Sequence, residues 1–264
     1  MTLSFWDHLE ELRGVLMRCV VAWLVCAAAA FCCRDALFAF LFAPARPDFI
    51  TYRLLNRLLA HWSLGTVSFA PPAFINTQLA AQFTTHLQVA AWTGLVLAFP
   101  FVLWQLYGFV APALYPREKR AAGRIIGFGT LLFLCGVALN YLVIFPFAFR
   151  FLSSYQVQPE VVNQIALDSY VSTLLVLSLL LGVLFEMPMV VWALGKAGLI
   201  HAAWLKQYRR HAFVALCVLA AVITPTGDAF TLMLVTLPLY LLYELSIFII
   251  DDWTNDEVRL IDEL

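Results

Sequence analysis

Charge is scarce in this chain. Asp, Glu, Lys and Arg make up 12% of its 264 residues and nearly cancel, to a formal net charge of −1, where a soluble globular protein carries about 25%. The strongly basic balance that would point to nucleic acid is therefore missing. Also missing are the spacings that carry common chemistries. There is no H-E-x-x-H, no G-x-S-x-G, no glycine-rich phosphate loop and no C-x-x-C. The histidines His8, His61, His86, His201 and His211 are scattered. The cysteines Cys19, Cys26, Cys32, Cys33, Cys135 and Cys217 sit mostly inside apolar runs without metal-ligand spacing. Nothing recommends an enzyme, a metal site or a bound cofactor. No internal repeat is visible, which argues against a transporter built from two inverted halves.

What the chain does have is apolar length. It is 63% hydrophobic, against about 45–50% in soluble domains, and the excess comes in blocks. The blocks predict an all-α integral membrane protein with six spans, at about residues 15–33, 87–107, 125–149, 170–194, 213–223 and 230–250. Four are about 19–25 residues, enough for a hydrocarbon core of about 30 Å. The fifth is short; it is counted because the turn Thr224-Pro225-Thr226-Gly227-Asp228 and a full-length run follow it. The first run is read as a retained span rather than a cleaved signal peptide. With six alternating spans, eleven of the sixteen Lys and Arg fall on one side, which predicts both termini in the cytoplasm. Residues 251–264 then form a short acidic cytoplasmic tail.

Flanking segments carry the remaining pattern. Phe5, Trp6, Leu9, Leu12 and Leu16 recur at helical spacing, with Asp7, Glu10, Glu11 and Arg13 on other faces. This predicts a short amphipathic helix lying in the interface before the first span. In the long loop 34–86, Tyr52–Leu59 predicts a second amphipathic helix, a cap or an interfacial element. Pro100, Pro146, Pro188 and Pro238 fall in four different spans and predict a curved, concave bundle.

Ionisable groups inside spans are costly, about 2.5–3.5 kcal/mol on insertion scales for a residue such as Asp. Glu186, beside Pro188, and Glu244 are the deepest acids. Each either lines a cavity or sits neutral and hydrogen-bonded between helices. Gln105, Asn140 and Tyr141 read as interhelical hydrogen-bonding groups, Asp228 as the cap of the last helix, and Arg18 as a residue that snorkels to its helix end. On the cytoplasmic side, Arg117-Glu118-Lys119-Arg120 sets one carboxylate among three cations just after the second span. Acids beside membrane helices suit a basic ligand, although Glu118 has local cations to pair with and Glu11 can be an ordinary solvated helix face.

These pieces, in order, resemble the TatC family, the multi-span receptor subunit of the twin-arginine protein translocase. His8-Leu9-Glu10-Glu11-Leu12-Arg13 is similar to its N-terminal motif, and Ala43-Pro44 to its early extracytoplasmic proline. Phe99-Pro100 through Phe109-Val110-Ala111-Pro112-Ala113-Leu114-Tyr115, with Glu118-Lys119-Arg120, is similar to its signature loop. Tyr141 with Phe145-Pro146, then Phe185-Glu186-Met187-Pro188, Thr224-Pro225 with Asp228, and Pro238-Leu239-Tyr240 with Tyr243-Glu244 follow. The stretch between Pro44 and Phe83 is longer than the family pattern. The resemblance implies six helices curved like a cupped hand, with an extracytoplasmic cap, in the cytoplasmic (inner) membrane of a bacterium. It implies a receptor for the Arg-Arg signal peptides of folded cargo, using Glu11 and Glu118 with Arg13, Phe109 and Arg120 beside them. It implies an intramembrane polar set of Glu186, Gln105, Tyr141, Asp228 and Glu244. It also implies TatA- and TatB-like single-span partners, further TatC copies, the proton gradient as driving force, and no cofactor. The reading set against it is a proton-coupled transporter or channel for a small solute, using Glu186 and Asp228.

Overall fold

The computed structural model describes residues 5–62, 73–110, 122–158, 163–196, 198–224 and 227–262. Among them helices dominate. The order is α1 (Phe5–Cys32), α2 (Arg34–Leu41), a 3-10 turn (Ala43–Ala45), α3 (Ile50–His61), β1 (Phe74–Ile75), α4 (Ala81–Val110), α5 (Ala122–Leu139), a π-helical turn (Asn140–Ile144), α6 (Phe145–Ser154), β2 (Ile165–Ala166), α7 (Leu167–Leu184), α8 (Met187–Lys196), α9 (Ala202–Gln207), α10 (Arg209–Ile223) and α11 (Ala229–Asp262).

Among the described residues, five stretches are long and apolar enough to cross a membrane: Leu9–Cys32, Ala81–Phe109, Ile126–Ser154, Leu167–Lys196 and Ala229–Asp251. The remaining expected span, the short fifth at about 213–223, falls in α10, a helix of 15 residues. At 1.5 Å per residue it reaches about 22 Å, short of a core of about 30 Å.

One expectation needs correction, and two gain detail. The N-terminal amphipathic segment is not a separate interfacial helix, because α1 runs unbroken from Phe5 to Cys32. No proline or glycine pair interrupts it, so the helical ladder simply continues. The acidic tail beyond residue 250 continues the last helix, as α11 stays helical to Asp262. The all-helical description also needs a small addition. β1 and β2 pair in parallel, with Phe74 opposite Ile165 and Ile75 opposite Ala166. This two-residue ladder ties the long first loop to the segment before α7.

The four prolines act in two ways. Pro100 and Pro238 lie inside continuous helices. Pro146 follows the π turn, and Pro188 sits at the start of α8, after the break at Phe185–Glu186. Each removes one backbone donor, and the π turn and the break are where the ladder yields.

Small residues set the helix contacts. α1 and α4 pack antiparallel, with the Trp23 indole donating to the Ala91 carbonyl at 2.8 Å. A Cβ on Gly94 would come within 2.5 Å of the Ala27 backbone nitrogen. A Cβ on Gly136 would meet the Leu181 carbonyl at 2.6 Å, and one on Gly182 the Phe133 ring at 2.7 Å. Lipid tails are as apolar as Leu, so close backbone approach is what holds such helices together. α10 lies antiparallel to α11, where the Phe213 and Tyr240 rings meet edge to face at 5.5 Å. Gly195 at the end of α8 faces Ile250 of α11. These pairings bring the start of α1, the end of α4, the start of α5, the end of α8, the start of α10 and the region of Ile250 to one end of the bundle.

The opposite end is sealed by aromatics. Tyr170 of α7 is buried, with Phe42, Phe74, Phe145 and Phe149 around its ring at 4.9–5.5 Å. Its hydroxyl donates to the Leu41 carbonyl at 2.9 Å. Tyr52 of α3, also buried, donates to the carbonyls of Pro146 at 2.9 Å and Pro44 at 3.3 Å. The Tyr52–Leu59 helix read from the sequence is therefore a packed element of this end. Burial pushes the Tyr52 phenol up to about 12.

Candidate functional site

Glu186 occupies the break between α7 and α8. Its amide donates to the Val183 carbonyl at 3.1 Å, and its own carbonyl receives the amides of Met189 and Val190 at 3.0 Å. Pro188 supplies no donor, so the chain leaves α7 with a tight turn and re-enters helix at Met187. The carboxyl leans into the space above Gly129 of α5. A Cβ there would lie 3.1 Å from Oε2 of Glu186, 2.8 Å from the Met189 sulfur and 3.1 Å from Leu103 of α4. The other oxygen, Oε1, is buried with no hydrogen-bond partner among the described residues. A carboxyl so placed, at a helix break among Met and Leu, has room to accept a donor from outside the described residues.

The other intramembrane candidates do not join Glu186 in one cluster. Each is paired elsewhere. Gln105 of α4 accepts a bond from Arg18 of α1 at 3.0 Å. Tyr141 of the π turn donates to the Phe40 carbonyl at 2.6 Å and stacks on the Phe40 ring at 4.1 Å. Asp228 caps α11, accepting from the Thr231 amide at 2.7 Å, where free backbone donors favour an anion. Glu244 accepts from Arg209 at 2.7 Å and from the Tyr240 hydroxyl at 2.9 Å. It forms an ion pair between α10 and α11. Arg209 is the partner that sequence reasoning missed, and no local signal shows it, since it lies 35 positions away. Asn140 is fully buried, its amide donating to the Ser178 hydroxyl at 2.8 Å and the Leu174 carbonyl at 3.2 Å. That matches its reading as an interhelical group.

Glu11 and Arg13 are exposed on the first turns of α1, and Phe109 is half-buried near the end of α4. The antiparallel α1–α4 pairing puts both segments at the same end of the bundle. Glu118 and Arg120 lie outside the described residues. Lys206 and Asp251 form a second ion pair at 2.8 Å between α9 and α11. Among the described residues, no group of three or more His, Cys, Asp or Glu is placed to hold a metal ion.

This arrangement of helices, break and caps is shared. The model of the family described as "Sec-independent protein translocase protein (TatC)" matches residues 7–238. The chain belongs to the TatC family. A TatC from Blattabacterium sp. subsp. Periplaneta americana is 34% identical over 252 residues, covering 94% of each chain. A TatC from Deinococcus radiodurans is 35% identical over 243 residues, covering 92% of this chain and 83% of the relative. Among solved structures, "Crystal Structure of Twin Arginine Translocase Receptor- TatC" superposes with a TM-score of 0.74 at 30% identity, covering 94% of this chain and 99% of that one. Its counterpart "in DDM" gives 0.75 at 30% identity, covering 91% and 98%. For this TatC-family chain the helical architecture is thus that of a known fold.

Proposed function

We propose that the chain is the receptor and membrane core of a twin-arginine translocase, binding the Arg-Arg signal peptides of folded proteins for export across a bacterial cytoplasmic membrane. The observation that carries this is the match to a solved translocase receptor over 94% of the chain. The transporter reading gains nothing from relatives that are translocase subunits.

In this reading α10 is the short fifth of six spans, and the end of the bundle that holds the start of α1 faces the cytoplasm. Most Lys and Arg fall at that end. Glu11 and Glu118 receive the two arginines, with Arg13, Phe109 and Arg120 lining the approach. A guanidinium forks two N–H groups onto a carboxylate, a geometry that Lys cannot copy. Near an interface, partly shielded from water, such a pair is worth more than on an open surface. TatA- and TatB-like single-span proteins and further copies of the chain complete the assembly. The proton gradient drives transport, with Glu186 as the deep carboxyl that responds.

Signal-peptide affinity at two salt concentrations tests the docking pair. Glu11→Gln and Glu118→Gln should each weaken an Arg-Arg peptide by about tenfold, one charge-assisted bond's worth, without lowering protein abundance. Glu118→Asp should keep part of the affinity. If both Gln variants bind like the parent, the two acids are not the receptor site.

A further inference from the structure

Arg18 is exposed on α1 within the apolar stretch Leu9–Cys32. Its neighbours Leu16, Met17, Val20 and Val21 are exposed as well, so this face looks into lipid. Only Nε is committed, to Gln105 Oε1 at 3.0 Å. The two terminal NH2 groups have no bond among the described residues, nor has the Gln105 amide NH2. Oε1 is taken by its donor, and the terminal guanidinium groups and the amide NH2 are left available. The result is a cluster of donors without an acceptor, which is an anion site.

Its depth and direction name the anion. Gln105 lies four residues before the end of its apolar stretch at Phe109, about 6 Å along the helix. The guanidinium reaches back toward the start of α1. Its Nη1 would lie 3.8 Å from a Cβ on Gly14, one turn earlier, and Gly14 leaves that path open. Arg18 itself stands nine residues into the apolar stretch that begins at Leu9, and its long side chain carries the charge back toward the headgroup layer at that end. Trp104, exposed beside Gln105, is the residue type that sits at that layer.

We infer that Arg18 and Gln105 form a binding site for the phosphate of an anionic phospholipid, in the leaflet next to the start of α1. Gln105 holds the guanidinium edge-on, so that its fork meets the phosphate oxygens bidentately and the amide adds a third donor. The site lies across α1 and α4, and a lipid bound there bridges the two helices. The inference needs membrane insertion only, and its test reads lipid rather than export, so it stands or falls apart from the translocase reading.

The test is native mass spectrometry and thermal unfolding of the purified full chain in micelles with phosphatidylglycerol or phosphatidylcholine. Arg18→Gln should bind phosphatidylglycerol about tenfold more weakly at this site and lose the rise in unfolding temperature that this lipid gives the parent. Arg18→Lys should fall between, and Arg57→Gln, an exposed cation on α3, should behave like the parent. Phosphatidylcholine should not distinguish the variants. Equal phosphatidylglycerol retention by the parent and Arg18→Gln overturns the site, and inorganic phosphate alone giving the same stabilisation overturns its assignment to a lipid. A photoactivatable phosphatidylglycerol on the parent keeps the question answerable if Arg18→Gln fails to fold. Adducts on residues 14–21 and 104–107 support the site. Adducts only elsewhere, or Arg18 crosslinked to another protein's helix in native membranes with the lipid excluded, overturn it.

Discussion

Glu186 shows how one residue's surroundings separate binding from transport. Its carboxyl sits at the α7–α8 break against Gly129 of α5, on other helices than Glu11 of α1. Glu186→Ala should therefore reduce export by about tenfold or more while changing signal-peptide affinity by less than about twofold, under ~0.5 kcal/mol. Parallel transport and peptide-binding assays check this; equal losses in both would mean that Glu186 only holds the fold. Tyr52 makes the opposite case, a side chain whose work is structural. Tyr52→Phe leaves the Pro44 and Pro146 carbonyls without their donor, and should cost about 1–2 kcal/mol in unfolding experiments. The sign of its pH dependence follows from the raised phenol. Protonated Tyr52 is the form the fold favours, so its contribution is complete below about pH 10, the unfolded value. It is lost as pH rises through about 12. Unfolding of parent and Tyr52→Phe across that window should show the parent losing an increment that the variant lacks.

At the scale of elements, the α1–α4 contact depends on glycine. A Cβ at position 94 would strike the Ala27 backbone at 2.5 Å, and backbone cannot rotate away as a side chain can. Gly94→Ala should destabilise the protein by about 1–3 kcal/mol, the usual cost of overpacking. Gly108, near the end of the same helix, has nothing within 4 Å of its built Cβ. Gly108→Ala should be neutral, or stabilising by up to about 1 kcal/mol through helix propensity. Thermal unfolding of both variants in one detergent checks the contrast, and equal effects would remove close packing as the cause. Arg209 and Glu244 keep 46% and 31% of their side-chain surface exposed, so protein only partly encloses this pair, and it joins α10 to α11 without close backbone packing.

For the whole molecule the open quantity is how many times the chain crosses the bilayer. With α10 as a span, the number is even and both termini share a side. Single cysteines at Glu10 and Asp251, in a cysteine-free background, should then react with an impermeant reagent only after permeabilisation, while one at Leu79 should react in intact cells. A cysteine at Asp251 labelled from outside would mean that α10 does not cross. The short reach of α10 is tolerable on physical grounds, because a bilayer thins, or polar flanks move inward, at a cost of fractions of a kcal/mol per Å.

Legible in the sequence were the features that depend on local composition. Apolar length set the spans, because each must satisfy its own backbone in lipid. Asp228, just before Ala229, reads as a cap because the donors it meets are three residues away. Tyr52–Leu59 reads as a helix from its spacing alone, and the ordered motifs from Trp6 to Ile250 carry the family. The tertiary structure decided what depends on partners remote in sequence. Arg209 finds Glu244, Tyr52 finds Pro146, Gly94 finds Ala27 and Arg18 finds Gln105 only once the helices are side by side. Periodicity tells which face of a helix is apolar, but in a membrane both the packed and the lipid-facing sides are apolar. The sequence pattern therefore cannot say which face meets protein, and the close backbone approaches that do say it exist only in the assembled bundle.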